Sequence, residues 1–273
     1  MDLDIYQVDS FTSEAFKGNP AGVCITTNGL SENLMLSIAE EMAVSETAFL
    51  SLSDMRLRWF TPKSEVKLCG HGTLAVAHVL KERGQLKSGE TVNFETASGT
   101  LTALINESTI ELDFPSPIIE FDAIQPSNLL EYLGIVQSEV VSFGSFDSKV
   151  FIEVDSEKAL LNLQPNFDAL KQMKGRGVLV TTRSGSENLD FISRYFAPWV
   201  GVNEDPVTGS AHCALTVYWS KKLGKLELKG FQASERGGYV TTALLSNGRT
   251  KLIGSAVTVI KGTMQIPDVE QMV

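Results

Sequence analysis

Arg58–Leu80 reads RWFTPKSEVKLCGHGTLAVAHVL, and Arg194–Trp219 reads RYFAPWVGVNEDPVTGSAHCALTVYW. Both stretches open on Arg-aromatic-Phe-x-Pro, pass through a glycine-containing loop and run into small, apolar residues. Their arginines lie 136 residues apart (194 − 58) and the loop glycines Gly70 and Gly209 lie 139 apart (209 − 70), so the second copy carries three extra loop residues. The likeness extends both ways. SENLMLSIAEEM then TAFLSL precedes the first copy, and NFDALKQM then GVLVTT precedes the second. VNFETASGTLTALINESTIELDF follows the first, and GFQASERGGYVTTALLSNGRTKLIGSAV follows the second. A repeat near half of 273 residues points to duplication, because the periods of a solenoid run to about 20–50 residues.

Each copy predicts the same parts. Short alternating runs such as TVNFET, GTLTALI and TIELDF, broken by Gly, Ser or Asn turns, predict antiparallel strands. One helix per copy, about Thr73–Leu86 and Ala211–Leu223, is apolar nearly all round, and a helix of that pattern belongs inside a core. The picture is a curled sheet around a central helix, made twice, with the prolines and serines of Pro115–Asn128 as linker.

A content of 43% hydrophobic and 21% charged residues is that of an ordinary globular chain. The formal charge of −10 disfavours nucleic acid and anionic membrane surfaces, both of which select basic patches. The start, MDLDIYQVDSF, is acidic where an export signal is basic and then apolar, and no uncharged apolar run reaches the roughly 18 residues of a membrane span. The expectation is a soluble, cytoplasmic protein that acts on a small molecule or a protein partner. Cys24, Cys69 and Cys213 are an odd number, and read as thiols.

The loop Cys69–Ala75 (CGHGTLA) admits three readings. Gly70, Gly72 and Ala75 fit the dinucleotide fingerprint, and Glu95 falls where a ribose-binding acid would. However, the preceding EVKL is polar where a central parallel strand is apolar, and hairpins rather than βα alternation follow. Cys69, His71, His212 and Cys213 are metal-ligand types, yet no pair has zinc-site spacing; His78 and His212 read as core histidines. The third reading uses helix ends. In both copies a glycine loop, with Thr208 and Ser210 in the second, runs straight into a buried helix whose free N–H groups suit an anion. Two such ends facing one cleft would clamp a carboxylate, although the same residues also suit plain turns and N-caps.

Two acids are candidates for moving or steering a proton. Glu46 in AVSETAFLSL leads from a helix into an apolar strand, surroundings that desolvate a carboxyl and raise its pKa. Asp205 in NEDPVTGS, beside the second helix start, should stay ionised and could accept a hydrogen bond from His71.

VDSFTSEAFKGNPAGVC, VSETAFL and the two stretches quoted first together resemble the PhzF-like family of phenazine-biosynthesis isomerases, related in fold to diaminopimelate epimerase. The likeness covers almost the whole chain in the family's order, and EDPVTGSAH with CGHGTLA is its most specific part. It implies an α+β fold of two pseudo-symmetric domains, each a mainly antiparallel β-barrel around a central helix, with the active site in the cleft between them. The domains would be residues 1–117 and 118–259, with a terminal strand over about 260–273 returning to the first. The implied activity is an isomerase that moves a proton between carbons of a cyclohexadiene carboxylic acid, without cofactor or metal.

On matching motifs Glu46 would carry the proton, supported by His71, Asp205 and Ser210, while Ser45, Gly70, Gly72 and Gly209 would line the ligand. The resemblance also implies a homodimer. Related epimerases use two opposed cysteines; here Cys69 stands at the first position and Pro206 at the second, and a proline shuttles no proton. Two other readings stay open: a one-thiol racemase or epimerase pairing Cys69 with Glu46, and a non-catalytic binding protein for small acids.

Overall fold

By packing, the chain divides into two units, Met1–Asp113 with Ile253–Val273, and Phe114–Leu252. The computed structural model describes residues 1–121 and 125–267, so 122–124 of the expected linker and 268–273 of the expected terminal strand lie outside the described residues. The fold is mixed α+β.

In the first unit β1 (Asp2–Ser10), β2 (Asn19–Thr26), α1 (Glu32–Met42), β3 (Glu46–Ser51), β4 (Arg56–Phe60), β5 (Glu65–Val66), α2 (Gly70–Glu82), β6 (Thr91–Thr96), β7 (Gly99–Ile105) and β8 (Ile110–Pro115) follow in order. The strands pair β1–β2 antiparallel, β2–β3 parallel, β3–β4 antiparallel, β4–β6 parallel, then β6–β7 and β7–β8 antiparallel. The parallel pairs arise where a helix, α1 or α2, makes the crossover, a connection that hairpin signals alone do not announce.

The second unit holds α3 (Leu129–Leu133), β9 (Val140–Phe146), β10 (Lys149–Val154), α4 (Glu157–Leu161), α5 (Phe167–Gln172), β11 (Val178–Arg183), β12 (Phe191–Ala197), β13 (Val202–Glu204), α6 (Gly209–Leu223), β14 (Glu227–Gln232), β15 (Gly238–Leu244) and β16 (Arg249–Gly254). Its pairing repeats the first: β9–β10 antiparallel, β10–β11 parallel, β11–β12 antiparallel, β12–β14 parallel, β14–β15 antiparallel. Finally β17 (Ala256–Gln265) runs antiparallel along β1. No pairing among the described residues joins β8 to β17, so the first unit's sheet is open where the family likeness implies a closed barrel. Along β17, Ile260, Lys261, Gly262 and Thr263 are exposed.

The repeated arginines explain themselves. Arg58 grips Glu65 through Nε and Nη2, both at 2.7 Å, and stands 5.0 Å over the Phe60 ring. Arg194 does the same with Glu204, at 2.7 and 2.9 Å, 4.9 Å over Phe196. Each fork ties the strand that carries the aromatics to the short strand before the glycine loop. The planar guanidinium suits both the carboxylate and the ring face.

The apolar helices lie in the cores, as their patterns require. In α2, Leu74, Ala75, Val76 and Val79 are wholly buried; in α6, Ala214, Leu215 and Trp219 are. Each such large side chain contributes on the order of 1.5–3 kcal/mol by leaving water. The helix α2 ends at Glu82, short of the expected Leu86, because Gly84 turns the chain at φ 72°. In the second unit the sheet is covered twice: Ile152, Val178 and Val180 face α3–α5, while Phe151, Leu179 and Phe191 face α6. Burial on both faces accounts for the consecutive apolar residues 150–152 of β10 and 178–180 of β11. Among the described residues no helix is long and apolar enough to cross a membrane.

Candidate functional site

The parallel pairing of β2 with β3 sets Ala21 opposite Glu46, the first residue of β3. The chain reaches it from α1 through Ala43 in the left-handed region (φ 52°). Its side chain is 22% exposed and its Oε2 lies 3.4 Å from Nε2 of His71, which is 7% exposed. Burial raises the Glu46 carboxyl above its ordinary value of 4.5, and a hydrogen bond with Ser45 pulls weakly the other way.

His71 is fixed from both sides. The Asn19 amide lies 3.4 Å from Nδ1, while Ser45 Oγ lies 3.3 Å from Nε2. An amide nitrogen only donates, so a bond from Asn19 to Nδ1 would leave a neutral ring with its proton on Nε2, toward Glu46. Ser10 Oγ holds the His71 carbonyl at 2.8 Å. Asn19 is wholly buried at the start of β2, just after Gly18 (φ 64°), where an added Cβ would overlap the Ser10 carbonyl oxygen. The motif GNPAGV contains Asn19, but nothing in the sequence marks it as the histidine's partner.

Cys69 is the N-cap of α2, and its sulfur accepts the Gly72 amide at 3.3 Å. The same sulfur lies 3.5 Å from His71 Nδ1. Glu46, Cys69 and His71 thus bring an oxygen, a sulfur and a nitrogen within 4.8 Å of one another, donor types that a zinc ion accepts. The sulfur is engaged by the helix amide, and Nδ1 by Asn19. Gly72 has a packing reason: a Cβ there would stand 2.9 Å from Trp59 Cδ1 and 3.0 Å from Cys69 Sγ. Gly72→Ala is expected to cost about 1–3 kcal/mol of stability as overpacking. An unchanged denaturant midpoint would contradict that contact.

In the second unit Asp205 accepts the Thr208 hydroxyl at 2.5 Å. Gln232 braces the loop, donating to the Asp205 carbonyl at 2.6 Å and accepting the Thr208 amide at 2.9 Å. Thr208, the N-cap of α6, therefore makes no side-chain cap bond to its own helix. Gly209 and Ser210 are the first two residues of α6, and Ser210 Oγ accepts from Lys149 Nζ at 3.0 Å. Gln232 and Lys149 gave no sequence signal. Two cavities of about 440 and 690 Å³ open in this unit, and neither is lined by Asp205 or Ser210.

Of the two helix histidines, His212 is fully buried, its Nδ1 2.9 Å from the Thr208 carbonyl. His78 departs from the core reading: 23% exposed, it faces Glu82 at 3.8 Å across one helical turn.

The profile of the phenazine biosynthesis-like protein family (PhzC-PhzF) matches residues 8–262. An uncharacterized isomerase of Halalkalibacterium halodurans is 48% identical over 266 residues, covering 97% of this chain and 99% of its own. The crystal structure of a PhzF-family protein from Enterococcus faecalis superposes with a TM-score of 0.89 at 38% identity, over 97% of this chain and all of that one. A hydroxyproline epimerase from Agrobacterium vitis shares the fold, with a TM-score of 0.63 at 12% identity, over 98% of this chain and 94% of that one.

Proposed function

The chain belongs to the phenazine biosynthesis-like (PhzF) family and is an isomerase, and from that premise we propose a proton-shifting mechanism in which Glu46 is both base and acid. The single observation that supports it most is the half-buried Glu46 carboxyl 3.4 Å from His71 Nε2, with its pKa raised by burial. A carboxyl tuned upward takes a proton from an acidic C–H and still returns it near neutral pH. The His71 Nε2–H steadies the carboxylate when it forms and is itself held by Asn19. The substrate is a small carboxylic acid, and the protein's own groups suffice without metal or cofactor. The proposal extends to Asp205 and Ser210, carried over from the family pattern as supporting polar groups.

The test is a cyclohexadienecarboxylic acid incubated with the protein in deuterated water. Loss of a ring C–H signal by NMR, undiminished by a chelator, is the expected result. Dependence on added zinc would instead favour the Glu46, Cys69 and His71 trio as ligands.

A second reading, the one-thiol racemase, is favoured by one contact: the Cys69 sulfur lies beside His71 and within 4.8 Å of a Glu46 carboxyl oxygen. Cys69→Ser keeps a cap while removing the thiol. Full exchange in this variant excludes the racemase reading, and loss of more than about 10²-fold supports it.

A further inference from the structure

Lys149 opens β10 behind Asp147 and Ser148, both at positive φ (45° and 63°). It is 8% exposed, its ammonium stands 5.1 Å over the Phe146 ring, and Nζ donates to Ser210 Oγ at 3.0 Å. For stability alone this is a poor arrangement. A helix start carries partial positive charge, so a cation beside the second residue of α6 is disfavoured. Burial opposes the charge as well: desolvation lowers the Lys149 pKa, with Asp147 raising it and Arg176 lowering it further. Two positive sources therefore meet at Ser210, and the Thr208 side chain is turned to Asp205 rather than to its own helix.

The sense of the hydrogen bond says what this does. An ammonium has only donors, so the Ser210 oxygen must accept, which leaves its O–H free to donate elsewhere. A neutral partner at position 149 could let the hydroxyl turn inward.

We infer that Lys149 is a positioning residue of the proposed reaction: by donating to Ser210 Oγ it aims the serine hydroxyl, and a positive field behind it, at an anionic group of the substrate, its carboxylate. This rests on the reading that Ser210 serves the substrate, and it assigns the charge of that substrate to a residue outside the family's motif stretches.

The probe is the same cyclohexadienecarboxylic acid, set against its uncharged primary amide, with deuterium exchange followed as a function of concentration. Lys149→Met keeps the length and packing of the side chain. It is expected to raise KM for the acid about 10-fold or more, to leave KM for the amide unchanged and to leave kcat within about threefold, the pattern of an interaction made equally before and during the chemical step. Ser210→Ala should raise KM likewise, and the double variant should add little beyond either single one. Lys149→Arg should retain the preference for the acid.

An unchanged KM in Lys149→Met beside a raised KM in Ser210→Ala overturns the role of Lys149 and leaves the proposed function standing. No exchange by the unaltered protein overturns both. Folding of each variant is checked by circular dichroism. If Lys149→Met does not fold, Lys149→Gln takes its place: coupling between Lys149→Gln and Ser210→Ala supports the role, and strict additivity refutes it.

Discussion

Glu46→Gln is expected to lower hydrogen exchange into the acid by at least about 10²–10⁴-fold, and at neutral pH to melt no earlier than the unaltered protein. The two halves have one cause. Burial raises the Glu46 carboxyl above 4.5, so the folded protein holds this proton more tightly than the unfolded chain does. Proton binding then stabilises the fold fully below about the ordinary value, and that contribution is lost as pH rises through the raised one. Above the raised value the ionised, desolvated carboxylate is a cost that glutamine removes. The stability gain of Glu46→Gln should therefore shrink as pH falls, and disappear below the ordinary glutamate range. Thermal melts of both proteins across that range, with NMR exchange at pH 7, check both halves. A variant that keeps full exchange would refute the assignment. One that is less stable at neutral pH would show the carboxylate to be a favourable partner there, not a desolvated one.

The second large effect lies in the core of the second unit. His212 is wholly buried, its Nδ1–H donates to the Thr208 carbonyl, and Nε2 has no hydrogen-bond partner among the described residues. Desolvation pushes its pKa from 6.5 down to about 4. Here the unfolded chain binds the proton and the folded one does not, so stability falls as pH drops below 6.5 and levels off near 4. A depression of that size corresponds to ~3 kcal/mol. His212→Thr supplies the control, because Thr73, the residue at the matching position of α2, makes the same bond to the carbonyl four residues back, at 2.7 Å. The variant leaves a cavity and should be less stable at pH 7, but the difference from the unaltered protein should narrow by a few kcal/mol toward pH 4. A constant difference across that interval would mean that the buried ring does not titrate as described.

How far the sequence carried the reading depended on whether the relevant signal was local. The repeated motif was legible because it is written twice: the Arg-aromatic-Phe-x-Pro openings became the paired forks Arg58–Glu65 and Arg194–Glu204. The two buried helices were legible because they lack a polar face. Parallel pairs such as β2–β3 were not, since hairpin signals lie within a few residues, whereas a crossover is decided by where α1 packs. Glu46 and Ser45 both lie beside His71. Asn19 and Lys149 were missed for a common reason. A residue that holds another side chain by a hydrogen bond across dozens of positions leaves no spacing to read, and neither KGNPAG nor FDSKVF announces a partner.

The account turns on the environment of one carboxyl group, and that can be measured without a substrate. Carbon-13 NMR of protein labelled at the glutamate side-chain carboxyl, with Glu46→Gln to assign the signal, gives its titration directly. The account predicts a midpoint displaced upward from 4.5. A midpoint at or below that value would mean that water or a cation already satisfies the carboxylate, and would contradict the proposed role.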